Sequence, residues 1–182
     1  MNVDEKQTIW TISNGLSIVR ILLVIPATYF LMLGTQSGHD IAFIIIVVAA
    51  MTDFLDGYFA RKFSQVTDFG KIIDPFADKI SIGILALILM LHSMLPVWLV
   101  LSVLIRDVVI FSGGMYIKRS KGIVLQSNWL GKWTAGVLAI LVAVAVLNRE
   151  ELLLVKIILT YGSLLMLVLS FISYAKRFLE LR

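Results

Sequence analysis

Six stretches of mostly apolar residues constrain the fold of this chain more than any other feature. Crossing a hydrocarbon core of about 30 Å takes roughly 20 helical residues. The 182 residues are 59% hydrophobic and only 15% charged, whereas an ordinary soluble domain is about 25% charged. We therefore predict an all-α integral membrane protein with six transmembrane helices in one bundle, a single membrane domain over residues 1–182. The expected spans are residues 16–34, 41–62, 70–92, 95–117, 129–147 and 152–175.

Lysine and arginine are unevenly divided between the two sides of this predicted bundle. Short loops rich in these residues stay on the cytoplasmic side, so we expect both termini and the loop after the second helix to be cytoplasmic. Residues 1–15 lack the basic start and cleavage site of a signal peptide, and we expect a short surface helix there. One side carries Lys6, Arg61, Lys62, Lys71, Lys118, Arg119, Lys121, Lys132, Lys176, Arg177 and Arg182, and the other Arg149 and Lys156.

Four aspartates interrupt the second and third apolar stretches near their predicted cytoplasmic ends. One Asp at the centre of a spanning helix costs about 2.5 to 3.5 kcal/mol, so something must compensate them. Asp53 and Asp56 have the i, i+3 spacing of one helical face, and Asp74 and Asp78 have the i, i+4 spacing. Two adjacent helices can therefore aim four carboxylates into one cavity.

A divalent cation is the first candidate to compensate these carboxylates. The chain has no cysteine, so a metal would bind oxygen or histidine, and oxygen-only clusters select hard cations such as Mg²⁺, Mn²⁺ or Ca²⁺. Two ions sharing a carboxylate could stabilise the attacking and leaving oxygens of a phosphoryl displacement. The alternative from a different class is a divalent cation transporter, because intramembrane carboxylates also mark ion pathways.

Small residues between the acids allow two interpretations. Gly57 and Ala60 continue the acidic face, where they leave a recess beside the helix backbone, and Arg61 supplies a fork suited to phosphate. The recess could hold a ligand, or the small residues could serve close helix packing.

The string Asp53-x2-Asp56-Gly57-x2-Ala60-Arg61-x8-Gly70-x3-Asp74-x3-Asp78 matches, residue for residue, the signature of the CDP-alcohol phosphotransferase family. Six helices and a cytoplasmic site also resemble that family, so the likeness covers nearly the whole chain. It implies an enzyme of membrane phospholipid synthesis in which CDP-diacylglycerol passes its phosphatidyl group to an alcohol and CMP is released.

The resemblance also implies roles for individual residues. Mg²⁺ or Mn²⁺, two ions per site, would bind to the four aspartates, and Asp78 would also be the general base on the acceptor hydroxyl. A carboxylate near a metal and a hydroxyl is the base that such a transfer needs. The CDP moiety would be surrounded by Asp56, Gly57, Ala60, Arg61, Thr67 and Gly70.

Further motifs resemble the branch of the family that uses glycerol 3-phosphate and forms phosphatidylglycerophosphate. The opening Asn14-Gly-Leu-Ser-x2-Arg20, the string Asp74-Pro-x-Ala-Asp78-Lys79 and the pair Arg106-Asp107 are similar to that branch. Trp129-Leu-Gly-Lys132 is similar too, but the usual Gly-Lys-x-Lys-Thr lacks its second lysine here, where Thr134 stands. Phosphatidylglycerol (giving cardiolipin), inositol phosphate or serine are the alternative acceptors.

Several basic residues are candidates to bind the acceptor phosphate. Arg106 lies inside the fourth helix, where a buried arginine faces either the cavity or a partner helix, and Asp107 should point elsewhere because adjacent residues diverge on a helix. Lys132, Arg119 and Lys121 flank the next loop and could equally serve topology or lipid contact. Asn14 could line the site or cap the first helix.

The resemblance also implies an oligomeric state and a cellular location for the protein. The family implies a homodimer in a lipid bilayer, and the location we expect is a bacterial cytoplasmic membrane with the active site facing the cytoplasm. We expect no nucleic-acid partner.

Overall fold

The computed structural model describes the backbone of residues 12–62, 70–122 and 129–180, and the side chains of residues 18–52, 81–120 and 129–179. Every regular element in these ranges is helical, which confirms the all-α prediction. The elements are α1 (Ile12–Met32), α2 (Gln36–Lys62), α3 (Gly70–Leu91), α4 (Val97–Lys121), α5 (Trp129–Leu147), a 3-10 turn (Glu150–Leu152) and α6 (Leu153–Glu180).

Among the described residues, three helical stretches are long and apolar enough to cross a membrane: Val97–Ser120, Trp129–Leu147 and Glu150–Leu179. The described parts of α1, α2 and α3 add the apolar segments Ile18–Met32, Gln36–Thr52 and Ser81–Leu91, each of which has one end where the described side chains begin or end. The helix count therefore agrees with the prediction over the described residues, whereas a bundle of six spans stays a prediction.

The chain divides into two compact units, Met1–Ile88 and Leu89–Arg182. In the first unit α1 packs against α2, and Ala27, Leu31 and Ala42 are buried in this hairpin.

The α1–α2 turn is tighter than the sequence prediction, which placed a break over residues 34–40. Gly34 adopts a left-handed conformation with φ of +63°, which favours glycine. Thr35 then caps α2: its Oγ1 accepts a hydrogen bond from the backbone N–H of Gly38 at 3.1 Å. Because this cap satisfies an otherwise unpaired donor, the helix begins at Gln36 and takes in residues predicted to lie in the loop.

Gly38 lies where the backbones of the two helices of this hairpin come close together. A Cβ atom at this position would lie 2.5 Å from the backbone oxygen of Phe30 in α1. No side chain fits there unless the backbone moves, so glycine is required for the α1–α2 contact.

In the second unit, α6 packs against both α4 and α5. The α4–α6 pair is parallel, because Trp98 contacts Tyr161 with ring centroids 6.3 Å apart and, further along both helices, Tyr116 contacts Phe178 at 6.2 Å. The carboxyl ends of α4 and α6 therefore lie on the same side of this unit.

α4 extends four residues beyond its predicted end at residue 117. Gly122 has a φ of +67° and its backbone N–H donates to the Lys118 carbonyl at 3.1 Å, which is a glycine cap of the helix end. Lys118, Arg119 and Lys121 thus lie in the last turn of α4, where cations interact favourably with the helix dipole, rather than in a loop.

Candidate active site

The first half of the signature lies on an unbroken helix. α2 continues through Asp53, Asp56 and Gly57 to Lys62, so the helical spacing that places 53, 56, 57 and 60 on one face is present in the backbone. Thr52, just before the first aspartate, donates its hydroxyl to the Ala49 carbonyl at 2.7 Å and is satisfied within the helix. The side chains of residues 53–62 lie outside the described set, so metal binding by the aspartates and CDP contact by Gly57, Ala60 and Arg61 stay predictions.

The second half of the signature lies on α3. Gly70 is the first residue of this helix, and Asp74 and Asp78 follow within its first three turns. The two aspartates therefore share one face of α3, as the i, i+4 spacing predicted. Thr67, predicted to contact the CDP moiety, falls outside the described residues.

Ser81 extends the face of Asp74 and Asp78 by one turn. It follows Asp78 by three residues and is 7% exposed, and its Oγ has no hydrogen-bond partner among the described residues. Sequence reasoning missed this hydroxyl, although its i+7 spacing from Asp74 was an available signal.

The donor set fits a hard divalent cation. The described side chains contain no group of three or more His, Cys, Asp or Glu that could hold a metal, and the four aspartates of the signature lie outside that set. They supply only carboxylate oxygens, on two helices, at spacings that keep each pair on one face. Oxygen ligands of this kind suit Mg²⁺ and Mn²⁺.

Arg106 is the best-defined candidate for acceptor binding. Its side chain is 18% exposed and its guanidinium bridges α4 and α6: one terminal nitrogen donates to Ser170 Oγ at 2.6 Å, and the group lies 5.8 Å from the ring centroid of Tyr174. The Nε is buried and has no hydrogen-bond partner among the described residues. One donor of the fork is thus available for another oxygen.

The prediction that Asp107 points away from Arg106 is wrong. The other terminal nitrogen of Arg106 donates to Asp107 Oδ1 at 2.7 Å. Adjacent Cβ atoms do diverge on a helix, but the long arginine side chain reaches back to the shorter carboxylate. Asp107 is 42% exposed and lies within a helix apolar enough to cross a membrane, where ionisable side chains pair with one another.

Ser170 and Tyr174 were also missed by sequence reasoning. They lie four residues apart on α6, so they share a face, and Ser170 is fully buried. A serine and a tyrosine at i, i+4 within an apolar helix were the available signal for polar partners of the arginine in α4.

The remaining acceptor candidates are less defined. Lys132 lies in the first turn of α5 and Arg119 in the last turn of α4, and both are exposed. Lys121 and Asn14 lie within α4 and α1, but their side chains are outside the described set. No contact joins Lys132 or Arg119 to Arg106 among the described side chains, so their acceptor role stays a prediction.

Thr134 occupies the position of the second lysine in the usual Gly-Lys-x-Lys-Thr motif. It is fully buried, and its hydroxyl lies 2.7 Å from the Leu130 carbonyl and 3.3 Å from the Met166 carbonyl on α6. This position faces the α5–α6 contact, where a charged ammonium would be costly. Thr134 is therefore a packing residue of this chain.

Comparison with known proteins agrees with the helical fold and with the signature from Asp53 to Asp78. The chain belongs to the CDP-alcohol phosphatidyltransferase family, whose model matches residues 10–172.

Individual relatives carry more specific names. A CDP-diacylglycerol–glycerol-3-phosphate 3-phosphatidyltransferase of Mycoplasma genitalium is 32% identical over 67% of this chain and 58% of the relative. The protein of the same name from Haemophilus influenzae is 32% identical over 87% of this chain and 88% of its own. A probable CMP-forming cardiolipin synthase of Drosophila melanogaster is 35% identical over 63% of this chain but only 35% of its own. The chain thus spans little more than half of the Mycoplasma relative and most of the Haemophilus one.

Proposed function

We propose that this chain transfers the phosphatidyl group of CDP-diacylglycerol to glycerol 3-phosphate, which gives phosphatidylglycerophosphate and CMP. The observation that carries the proposal is the complete signature from Asp53 to Asp78 on two helices that are continuous through every aspartate. Relatives named for this reaction support the choice of acceptor, above all the Haemophilus protein, which aligns over most of both chains.

Four carboxylates carry the chemistry in this proposal. Asp53, Asp56, Asp74 and Asp78 would hold two Mg²⁺ or Mn²⁺ ions, which when bound neutralise charge on the pyrophosphate. Asp78 takes the proton from the C1 hydroxyl of glycerol 3-phosphate as that oxygen attacks the β-phosphorus. The new oxygen–phosphorus bond forms while the bond from the β-phosphorus to the bridging oxygen breaks, and that oxygen leaves with CMP.

The residues around the aspartates bind the two substrates. Gly57, Ala60, Arg61, Thr67 and Gly70 surround the CDP moiety, as the family resemblance implies. On the acceptor side, Arg106 offers its Nε, which has no hydrogen-bond partner among the described residues, to the phosphate of glycerol 3-phosphate, while Ser170 and Asp107 hold the other end of the guanidinium. A guanidinium that is held at two points loses less freedom on binding.

The setting is part of the proposal. Both termini and the aspartates face the cytoplasm of a bacterial membrane, the six helices span the bilayer, and the chain forms a homodimer. At that boundary a soluble acceptor and a membrane-bound donor can meet. The asymmetry of Lys and Arg supports this orientation.

A second acceptor has a specific observation in its favour. Thr134 replaces the second lysine of the usual motif and is buried, which leaves one positive charge fewer for an acceptor phosphate. The Drosophila relative is named a cardiolipin synthase. With phosphatidylglycerol as acceptor the same aspartates would form cardiolipin.

The test is a panel of acceptors with the purified full chain, CDP-diacylglycerol and Mg²⁺ or Mn²⁺. Glycerol 3-phosphate should yield a phosphatidyl product and CMP, and serine, inositol phosphate and phosphatidylglycerol should not. Product with phosphatidylglycerol alone would assign cardiolipin synthesis, and CMP release with none of the four would contradict the proposal.

The Asp78→Asn variant tests the role of the base. Removing a positioned general base typically costs a factor of about 10² to 10⁴ in rate, so turnover should fall by at least about 10². Asp40→Asn, which changes an acid near the start of α2, is the matched control and should keep full activity. Release of CMP at the unsubstituted rate by Asp78→Asn would rule out this role.

A further inference from the structure

The buried face of α3 is defined by the side chains in the second half of the helix. Ser81, Leu85 and Leu89 are 7%, 7% and 0% exposed, whereas Ile82, on another face, is 63% exposed. Residues at i, i+4 and i+8 lie on one line along a helix. The described side chains of α3 thus include one buried line, and Ser81 is its polar member.

This buried line leads back to the aspartates of the signature. α3 is continuous from Gly70 to Leu91, and Asp78 and Asp74 precede Ser81 by three and seven residues, which are the spacings of one helical face. Ser81 therefore belongs to the same face of α3 as the two aspartates. It lies about 4.5 Å further along the helix axis than Asp78.

Ser81 also stands where α3 changes from charged to apolar. Residues 70–80 include Lys71, Asp74, Asp78 and Lys79, whereas residues 82–91 contain no charged group and no hydroxyl. A phospholipid has its groups in the same order: a charged headgroup, then ester groups on a short glycerol backbone, then hydrocarbon chains. An ester carbonyl of a lipid whose phosphates lie at the aspartates would therefore be at the level of Ser81.

The hydroxyl of Ser81 is available for such a carbonyl. Serine and threonine inside a helix often donate to a carbonyl of the preceding turn, as Thr52 does to Ala49 and Ser102 does to Trp98. Ser81 Oγ is buried and has no hydrogen-bond partner among the described residues, although the backbone of the preceding turn is described. Because a buried hydroxyl without a partner costs free energy, a ligand that supplies an acceptor oxygen here gains affinity.

We propose that Ser81 donates a hydrogen bond to an ester carbonyl oxygen of the phosphatidyl donor and thereby selects an ester-linked lipid over an ether-linked one. The inference rests on the proposed transfer from CDP-diacylglycerol, and it concerns the donor rather than the acceptor. An ether-linked donor has the same phosphates, glycerol backbone and chains, but no carbonyl. A site that is built to hydrogen-bond a substrate group discriminates against the analogue that lacks this group.

The experiment compares CDP-diacylglycerol with CDP-dialkylglycerol of the same chain length and stereochemistry, on the purified full chain and on Ser81→Ala. With the unsubstituted chain, kcat/KM for CMP release should be about five- to tenfold higher for the ester donor, as expected for one hydrogen bond. In Ser81→Ala this value should fall for the ester donor and stay the same for the ether donor. An ester preference that survives in Ser81→Ala would overturn the proposal.

A matched control and a binding measurement accompany the kinetics. Ser102→Ala on α4 removes a hydroxyl that returns to the Trp98 carbonyl, and it should keep the ester preference. Binding is measured without acceptor, as the rise in the thermal unfolding midpoint that each donor causes at equal mole fraction, since a ligand of the folded state stabilises it. The rise should be larger for the ester donor with the unsubstituted chain, and equal for the two donors with Ser81→Ala.

Failure of this inference and failure of the proposed function give different results. If no acceptor yields CMP, the proposed transfer is wrong, and the midpoints decide the role of Ser81: an equal rise for both donors with the unsubstituted chain overturns it. If Ser81→Ala slows both donors equally and raises the KM for glycerol 3-phosphate, the hydroxyl serves the acceptor. An equal loss with an unchanged KM makes Ser81 a structural residue of α3. Either of these two results also overturns the proposal.

Discussion

The α1–α2 contact and the α4–α6 contact hold helices together by different means. In the first, a capped turn and Gly38 bring a helix to within van der Waals distance of a backbone carbonyl. In the second, Arg106 bridges to Ser170 and Tyr174, and a cleft remains beside the bridge. Close packing through a small residue fixes the position of α2, which carries two aspartates, whereas a polar bridge leaves open space between α4 and α6.

Gly38→Ala should have the largest effect on stability, because it adds a methyl group where α2 lies against the backbone of α1. The added Cβ would lie 2.5 Å from a backbone oxygen, which cannot rotate away, and overpacking of this kind costs about 1 to 3 kcal/mol. Thermal unfolding in detergent should show a clearly lower midpoint. An unchanged midpoint would mean that the two helices separate easily and that the contact is not close packing.

Ser170→Ala should cause the next largest loss of stability, since it removes the hydroxyl that accepts a hydrogen bond from the charged, partly buried Arg106. Hydrogen bonds to charged groups contribute about 1.5 to 3 kcal/mol, and Asp107 still holds the other terminal nitrogen of Arg106, so we expect a loss at the lower end of this range. The KM for glycerol 3-phosphate should rise as well, because the guanidinium loses one of its two fixed points. Ser102→Ala on α4, whose hydroxyl only returns to the Trp98 carbonyl, is the control and should change neither quantity.

Thr35→Ala should cost about 1 kcal/mol through loss of the cap of α2. Thr35→Ser keeps the hydroxyl and should retain most of the stability. Equal losses for the two variants would show that the methyl group, rather than the hydrogen bond to Gly38, carries the effect. The same thermal midpoints measure both variants.

Gly113→Ala should have the smallest effect, and the opposite sign from Gly38→Ala. An added Cβ would meet the Phe178 ring at 3.5 Å, an ordinary contact, and alanine is favoured over glycine in a helix by about 0.5 to 1 kcal/mol. The midpoint should stay the same or rise slightly. A loss as large as that of Gly38→Ala would mean that the α4–α6 pair is as tightly packed as the α1–α2 pair.

The sequence predicted the helices better than their ends. Apolar length indicated all six helices, but the starting point of α2 depended on Thr35 and the end of α4 on Gly122, and such caps act through one hydrogen bond that hydropathy does not register. The signature from Asp53 to Asp78 was readable because it consists of fixed residue types at helical spacing. The roles of its side chains remain predictions.

The basic residues proposed to bind the acceptor phosphate were harder to predict, because their geometry depends on partners far away in the chain. Arg106 was identified as a candidate, but its ion pair with Asp107 was missed and its partner Ser170 lies 64 residues away. From the sequence, Thr134 was notable only because it stands where the usual motif has a second lysine. Its burial against α6 shows that the position serves packing.

The distance in sequence between Arg106 and Ser170 has a consequence for biosynthesis. At about 5 to 20 residues per second, Ser170 is made about 3 to 13 seconds after Arg106. During that interval α4 and α5 must each persist without α6, and both are long and apolar enough to do so. A nascent chain would therefore carry its arginine unbridged until the last helix arrives, which makes the docking of α6 the step that completes the second unit.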